Sequence, residues 1–163
     1  MKVISEAIAA EILAGQGLAF GSWKQVTTPH RLFASVTPSR DFRVTWFSAA
    51  AIIEWLGAEE WLLCSFDLSN AVLEAEAEAV GQVAGSSISI IGDRPILFDR
   101  TDLDDVGRVK SLASALLGFE MHCYLVAKGK HGVRCVAFLD GVIDFVHGDQ
   151  GEADRLSKEI ASY

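Results

Sequence analysis

The chain is short of almost everything that marks a familiar active site. Its three cysteines, at 64, 123 and 135, are odd in number and widely spaced, with no Cys-x-x-Cys among them. They therefore suggest neither a disulfide framework nor a zinc or redox pair. A reducing, cytoplasmic setting is the expectation that follows. Gly-x-Ser-x-Gly, His-Glu-x-x-His and a calcium-loop pattern around Asp99 to Asp105 are all missing. The glycines of "GQGLAFG" at 15–21 follow a helical pattern rather than a strand and lack dinucleotide spacing, so they read as a turn.

Basic charge is scarce as well. Fourteen Lys and Arg stand against 22 Asp and Glu, a formal net charge of −8. Residues 61–105 hold only Arg94 and Arg100 against nine acids, so nearly all of the excess lies in the middle of the chain. A nucleic-acid reader neutralises phosphates with clustered Lys and Arg, and that class is excluded here. The same imbalance suits attraction to a basic protein.

Long apolar runs are also wanting. The most lipid-like stretch, "VTWFSAAAII" at 44–53, ends at Glu54, about half the length that a spanning helix needs. Glu6 and Glu11 interrupt what would have to be the apolar part of an export signal. Neither a membrane span nor a signal peptide is expected.

What the chain does have is apolar content. Half of its 163 residues are hydrophobic and the mean hydropathy is +0.28. A chain of this length buries about 70% of its unfolded surface. Some apolar surface is then left for a partner or for a homo-oligomer.

The pattern along the chain predicts one α+β domain over 1–163: a largely antiparallel sheet, made of hairpins and a C-terminal three-stranded meander, packed with about five helices. Ile4, Ile8 and Ile12 give the first helix an apolar side, and Gly15 and Gly17 stop it. "RLFASVT" and "DFRVTWF" flank "PSR" at 38–40 as a hairpin. Ser48 caps a short helix ended by Gly57, and "EWLLCSFD" from residue 60 reads as an interior strand. "AVLEAEAEAVGQVAG" from residue 71 is a helix rich in Ala and Glu.

"SISIIGDRPILFD" gives two strands around Gly92-Asp93, with Pro95 pointing to an edge position for the second. Thr101 or Asp102 caps a helix with Leu103, Val106, Val109, Leu112 and Leu116 along one side. Strands at 121–128, 133–139 and 142–147 and a last helix complete the pattern. From residue 87 the order of two strands, a helix, three strands and a helix is similar to that of profilin-like and roadblock-like modules, with no signature residues beside it.

Residues 121–149 concentrate three of the four histidines and two of the three cysteines. Adjacent His122 and Cys123 point to opposite faces of a strand and cannot easily share a metal. Cys64, Cys123 and Cys135 each sit among apolar neighbours and read as core. No metal and no cofactor is expected. Trp46, Trp55 and Trp61 read as core or interface rather than a ligand cage.

Two functions follow. In the first the chain is a non-enzymatic module, of immunity, inhibitor or adaptor type, whose acids Glu74, Glu76, Glu78, Asp99, Asp102, Asp104 and Asp105 mask or engage a basic partner protein. In the alternative it is a small enzyme or small-ligand binder with His147 as a general base beside Asp144 and Asp149.

Overall fold

The computed structural model describes residues 1–21, 26–27, 33–37, 41–64, 94–119, 123–129, 133–139, 142–147 and 149–163. Within them the protein is α+β. The helices are α1 (Glu6–Gly15), α2 (Phe42–Leu56), α3 (Leu103–Phe119) and α4 (Gln150–Ala161). The strands are β1 (Lys2–Val3), β2 (Ala19–Phe20), β3 (Val26–Thr27), β4 (Phe33–Val36), β5 (Glu60–Cys64), β6 (Ile96–Asp99), β7 (Cys123–Lys128), β8 (Arg134–Leu139) and β9 (Val142–His147). Seven strands form one sheet in the order β1-β6-β5-β7-β8-β9-β4, while β2 and β3 form a separate ribbon. Every pairing between them is antiparallel. The described helices number four, and the fifth expected one, from residue 71, lies outside the described residues.

Side chains alternate across a strand, and here the alternation sorts the core in two. Trp61, Leu63, Ile96, Phe98, Leu125, Val136, Phe138, Ile143 and Phe145 point to one face, where they meet inward residues of α2, α3 and α4. Leu62, Cys64, Val126 and Cys135 point to the other, where they meet Ile4, Leu18 and the α1 residues Ala9 and Leu13.

Several expectations are corrected. "DFRVTWF" is no strand of a hairpin but the start of α2, and β4 pairs with β9 instead. The inward stripe of α2 runs through Thr45, Ser48, Ala49, Ile52, Trp55 and Leu56, all buried. Its first members are polar, so a count of apolar residues misses the helical period. Ser48 is thus buried within α2 rather than capping it. The Thr45 and Ser114 hydroxyls share a buried hydrogen bond of 3.2 Å between α2 and α3.

At the N-terminus a short strand precedes α1, so the expected stripe shifts. Ala9 and Leu13 are buried whereas Ile8 is 44% exposed. The Ser5 hydroxyl caps α1 by accepting from the Ile8 amide at 3.3 Å, and Gly17 closes its far end at φ 70°, a conformation that costs a glycine little. Pro95 does not mark an edge strand either. It stands just before β6 and its carbonyl accepts from the Ile4 amide at 2.9 Å, with β1 supplying the edge beyond. Leu103 of α3 is 84% exposed, and the inward side of that helix runs instead through Asp105, Val106, Val109, Leu112 and Leu116.

The strand expected at 60 is β5, interior between β6 and β7. The C-terminal meander and the last helix are also in place. From residue 96 the order of a strand, a helix, three strands and a helix is present; the first of the two strands expected around Gly92 lies outside the described residues.

Candidate functional site

One end of the sheet gathers carboxylates. There β6 ends at Asp99, β5 begins at Glu60, and the register places these two residues opposite one another. Asp99 Oδ1 accepts from the Thr101 amide and from the Thr101 hydroxyl, each at 2.7 Å. The hydroxyl bond, with the amide bond second, holds the exposed Asp99 carboxyl below its usual range. Asp102 caps α3, its Oδ1 accepting from the Asp104 amide at 2.9 Å, and Asp104 stands exposed in the first turn. Both acids suit the positive end of the helix. The Glu59 carbonyl accepts from the Arg100 amide at 3.0 Å, which brings Glu59 to the same corner.

Four of these five acids, Glu59, Asp99, Asp102 and Asp104, are exposed, and Glu60 is half-buried. Glu60 pairs with Lys128, which faces it across β5 and β7. Strand register is invisible in a single sequence, so nothing there brings Glu59 and Glu60 to Asp99. The only signal was a pair of acids opening an apolar strand.

Asp105 differs from its neighbours. It is 1% exposed, and its Oδ2 accepts from the Asp99 amide at 2.9 Å and meets the Met1 ammonium. Arg108 lies 3.9 Å from its other oxygen. Asp105 thus ties β6 and the N-terminus to α3 from inside, whereas the other acids of this corner face solvent. Glu74, Glu76 and Glu78 lie outside the described residues, as do His122 and His131.

The residues of the histidine alternative lie along β9 and at the start of α4. His147 is the last residue of β9, paired in register with Arg134. Asp144 is paired with Ala137 on one side and Ser35 on the other. Asp144 and His147 are three positions apart, so they occupy strand positions of opposite parity. Asp149 caps α4, its Oδ1 accepting from the Gly151 amide at 2.8 Å.

The three thiols are buried and none is in a disulfide. Burial pushes Cys123 and Cys135 well above the ordinary thiol range, with the neighbouring thiols adding to it. They are thus kept protonated and inert toward electrophiles. Among the described residues no three His, Cys, Asp or Glu side chains form a group that could hold a metal ion. Among them, too, no helix is long and apolar enough to cross a membrane. Trp55 and Trp61 are buried and Trp46 is 44% exposed.

A second concavity lies between α2 and α4, a cleft of about 270 Å³ lined by Glu54, Trp55, Arg134, Glu152, Arg155 and Glu159 among others. Arg134 lies over the Trp55 ring at 5.7 Å from its centroid and donates to the Trp55 carbonyl. Arg155 pairs with Glu152 at 3.2 Å.

No family model, curated protein or solved structure matches the chain.

Proposed function

We propose that this protein is a non-enzymatic binding module, of immunity, inhibitor or adaptor type, that presents an acidic surface to a basic protein partner. The observation that carries the reading is the corner where Glu59, Glu60, Asp99, Asp102 and Asp104 meet at one end of the sheet. The Asp99 and Asp102 carboxylates, held by loop and cap hydrogen bonds, need little reordering on contact, which favours association. Their summed field speeds the encounter with a basic surface and falls off with salt. A reducing, cytoplasmic setting belongs to the same reading and is supported by three cysteines that form no disulfide.

The test is a comparison of association kinetics. A basic protein captured by the immobilised chain at low salt is identified and purified. Its on-rate is then measured on the parent and on a Glu59→Lys, Asp99→Lys, Asp104→Lys triple variant. The expected result is an on-rate slower by about tenfold or more at low salt, converging with the parent at high salt, with the off-rate little changed. An unchanged on-rate for a triple variant that unfolds at the parental temperature would remove the electrostatic basis of the proposal.

A further inference from the structure

A different surface offers a shaped site for such a partner. Helices α2 and α4 lie beside one another, and the start of α2 comes near the chain just beyond the end of α4. Phe47 and Tyr163 mark that junction with ring centroids 6.2 Å apart. They are 60% and 47% exposed, and Trp46 beside them is 44% exposed. Phe47, Ala51 and Glu54 follow one another along α2 at helical spacing, as do Glu152, Arg155 and Glu159 along α4. Between the two rows lies the cleft of about 270 Å³. The cleft itself is lined largely by charged side chains and Trp55, with the rings of Phe47 and Tyr163 beside it.

The charges are not balanced. Three carboxylates, Glu54, Glu152 and Glu159, face two guanidinium groups. Arg155 is taken by Glu152 and Arg134 is stacked on Trp55. Glu54 and Glu159 are left beside the aromatic end, where Glu159 accepts from the Tyr163 hydroxyl at 3.0 Å. The Tyr163 phenol is raised above its ordinary range, by partial burial first and then by the Glu159 hydrogen bond and the charges of Glu159 and Glu54. Carboxylates thus outnumber guanidinium groups by one in the cleft, and one of them, Glu159, is in contact with the exposed Tyr163. Aromatic side chains beside a polar rim suit a protein interface.

We infer that the groove between α2 and α4 is the docking site for a segment of the basic partner, with an Arg or Lys entering between Glu54 and Glu159 and an adjacent apolar side chain covering Phe47 and Tyr163. This deepens the basic-partner reading and rests on it, but uses a separate surface from the acidic corner.

The experiment is a titration of the full chain, followed by amide and indole NMR, with the amidated tripeptide acetyl-Leu-Arg-Leu, and in parallel with acetyl-Leu-Glu-Leu. The arginine peptide is expected to shift Ala51, Glu54, Glu159 and Tyr163 saturably, and the glutamate peptide is not. Glu54→Gln with Glu159→Gln should weaken the effect at least fivefold while leaving the rest of the spectrum in place, and Phe47→Ala should weaken it as well. Equal shifts with both peptides, or no shifts in the groove, would overturn the inference. So would sedimentation showing a dimer that buries Phe47 and Tyr163, since the groove would then belong to a second copy. Arginine-peptide binding at Asp102 and Asp104 alone defeats the groove but leaves the acidic corner standing. Groove binding with an unaffected triple variant defeats the corner instead.

Discussion

The face of the sheet that carries α2, α3 and α4 and the face that carries α1 draw on the same strands yet differ in how they are closed. On the first, large side chains such as Trp61, Phe98 and Phe145 are sealed beneath three helices, with Trp55 meeting Phe145 edge-on at 5.7 Å. On the second, the described partners of Leu62, Cys64, Val126 and Cys135 are one ten-residue helix and the segments beside it. The difference teaches where stability is concentrated. Among the described residues, a site closed by three helices collapses less readily when a side chain is removed than one closed by a single helix, which can settle into the space.

The comparison can be broken by truncating one residue on each face. Phe145→Ala is expected to cost about 4 kcal/mol, and Leu13→Ala on α1 about 2 kcal/mol. Urea unfolding of both variants checks the order. A Leu13→Ala variant at least as unstable as Phe145→Ala would show that the α1 face is closed as firmly as the other.

Much of this division was legible beforehand, and the failures have physical causes. The strands at 60–64, 123–128, 134–139 and 142–147 announce themselves because their apolar residues are dense and bounded by turn residues. Placing α2 failed because Thr45 and Ser48 take inward positions and bond or pack there, so that tertiary contact outweighs a strand-like local pattern. The two residues of β1 are too few to carry a period. The Asp102 cap was readable from a short polar residue standing before an apolar-periodic run. The meeting of Glu60 with Asp99 was not, because it depends on which strands pair and in what register.

The thiols sharpen the comparison, since they fall on both faces. Cys123 belongs to the face under three helices, and Cys64 and Cys135 to the α1 face. All three should react with a thiol reagent far more slowly than in the unfolded chain, because only opening exposes them as thiolates. The expected order is Cys64 and Cys135 first, through local undocking of α1, and Cys123 last, with the free energy of global unfolding. Mass-resolved labelling under native conditions, with and without Leu13→Ala, measures it. Leu13→Ala should speed Cys64 and Cys135 more than Cys123. Equal acceleration of all three would mean that both faces open together.

The smallest expected effect concerns the boundary between fold and function at the acidic corner. Asp102 is exposed like Asp99 and Asp104, but its carboxylate is engaged by the Asp104 amide at the start of α3. Replacing it with Ala removes a cap and should cost about 1 kcal/mol. Replacing exposed Asp104 with Ala removes a charge that accepts no such bond from the helix start, and should cost well under that. For association with a basic partner the ranking differs, because the long-range field depends on charge and position rather than on the capping bond, so the two substitutions should slow the on-rate to a similar extent. Thermal unfolding and on-rate measured on the same two variants therefore separate the structural part of each carboxylate from its electrostatic part. If Asp102→Ala lost stability while leaving the on-rate at the parental value, and Asp104→Ala did the same to the on-rate, the acids at the start of α3 would be helix-terminal residues and the partner surface would have to lie elsewhere.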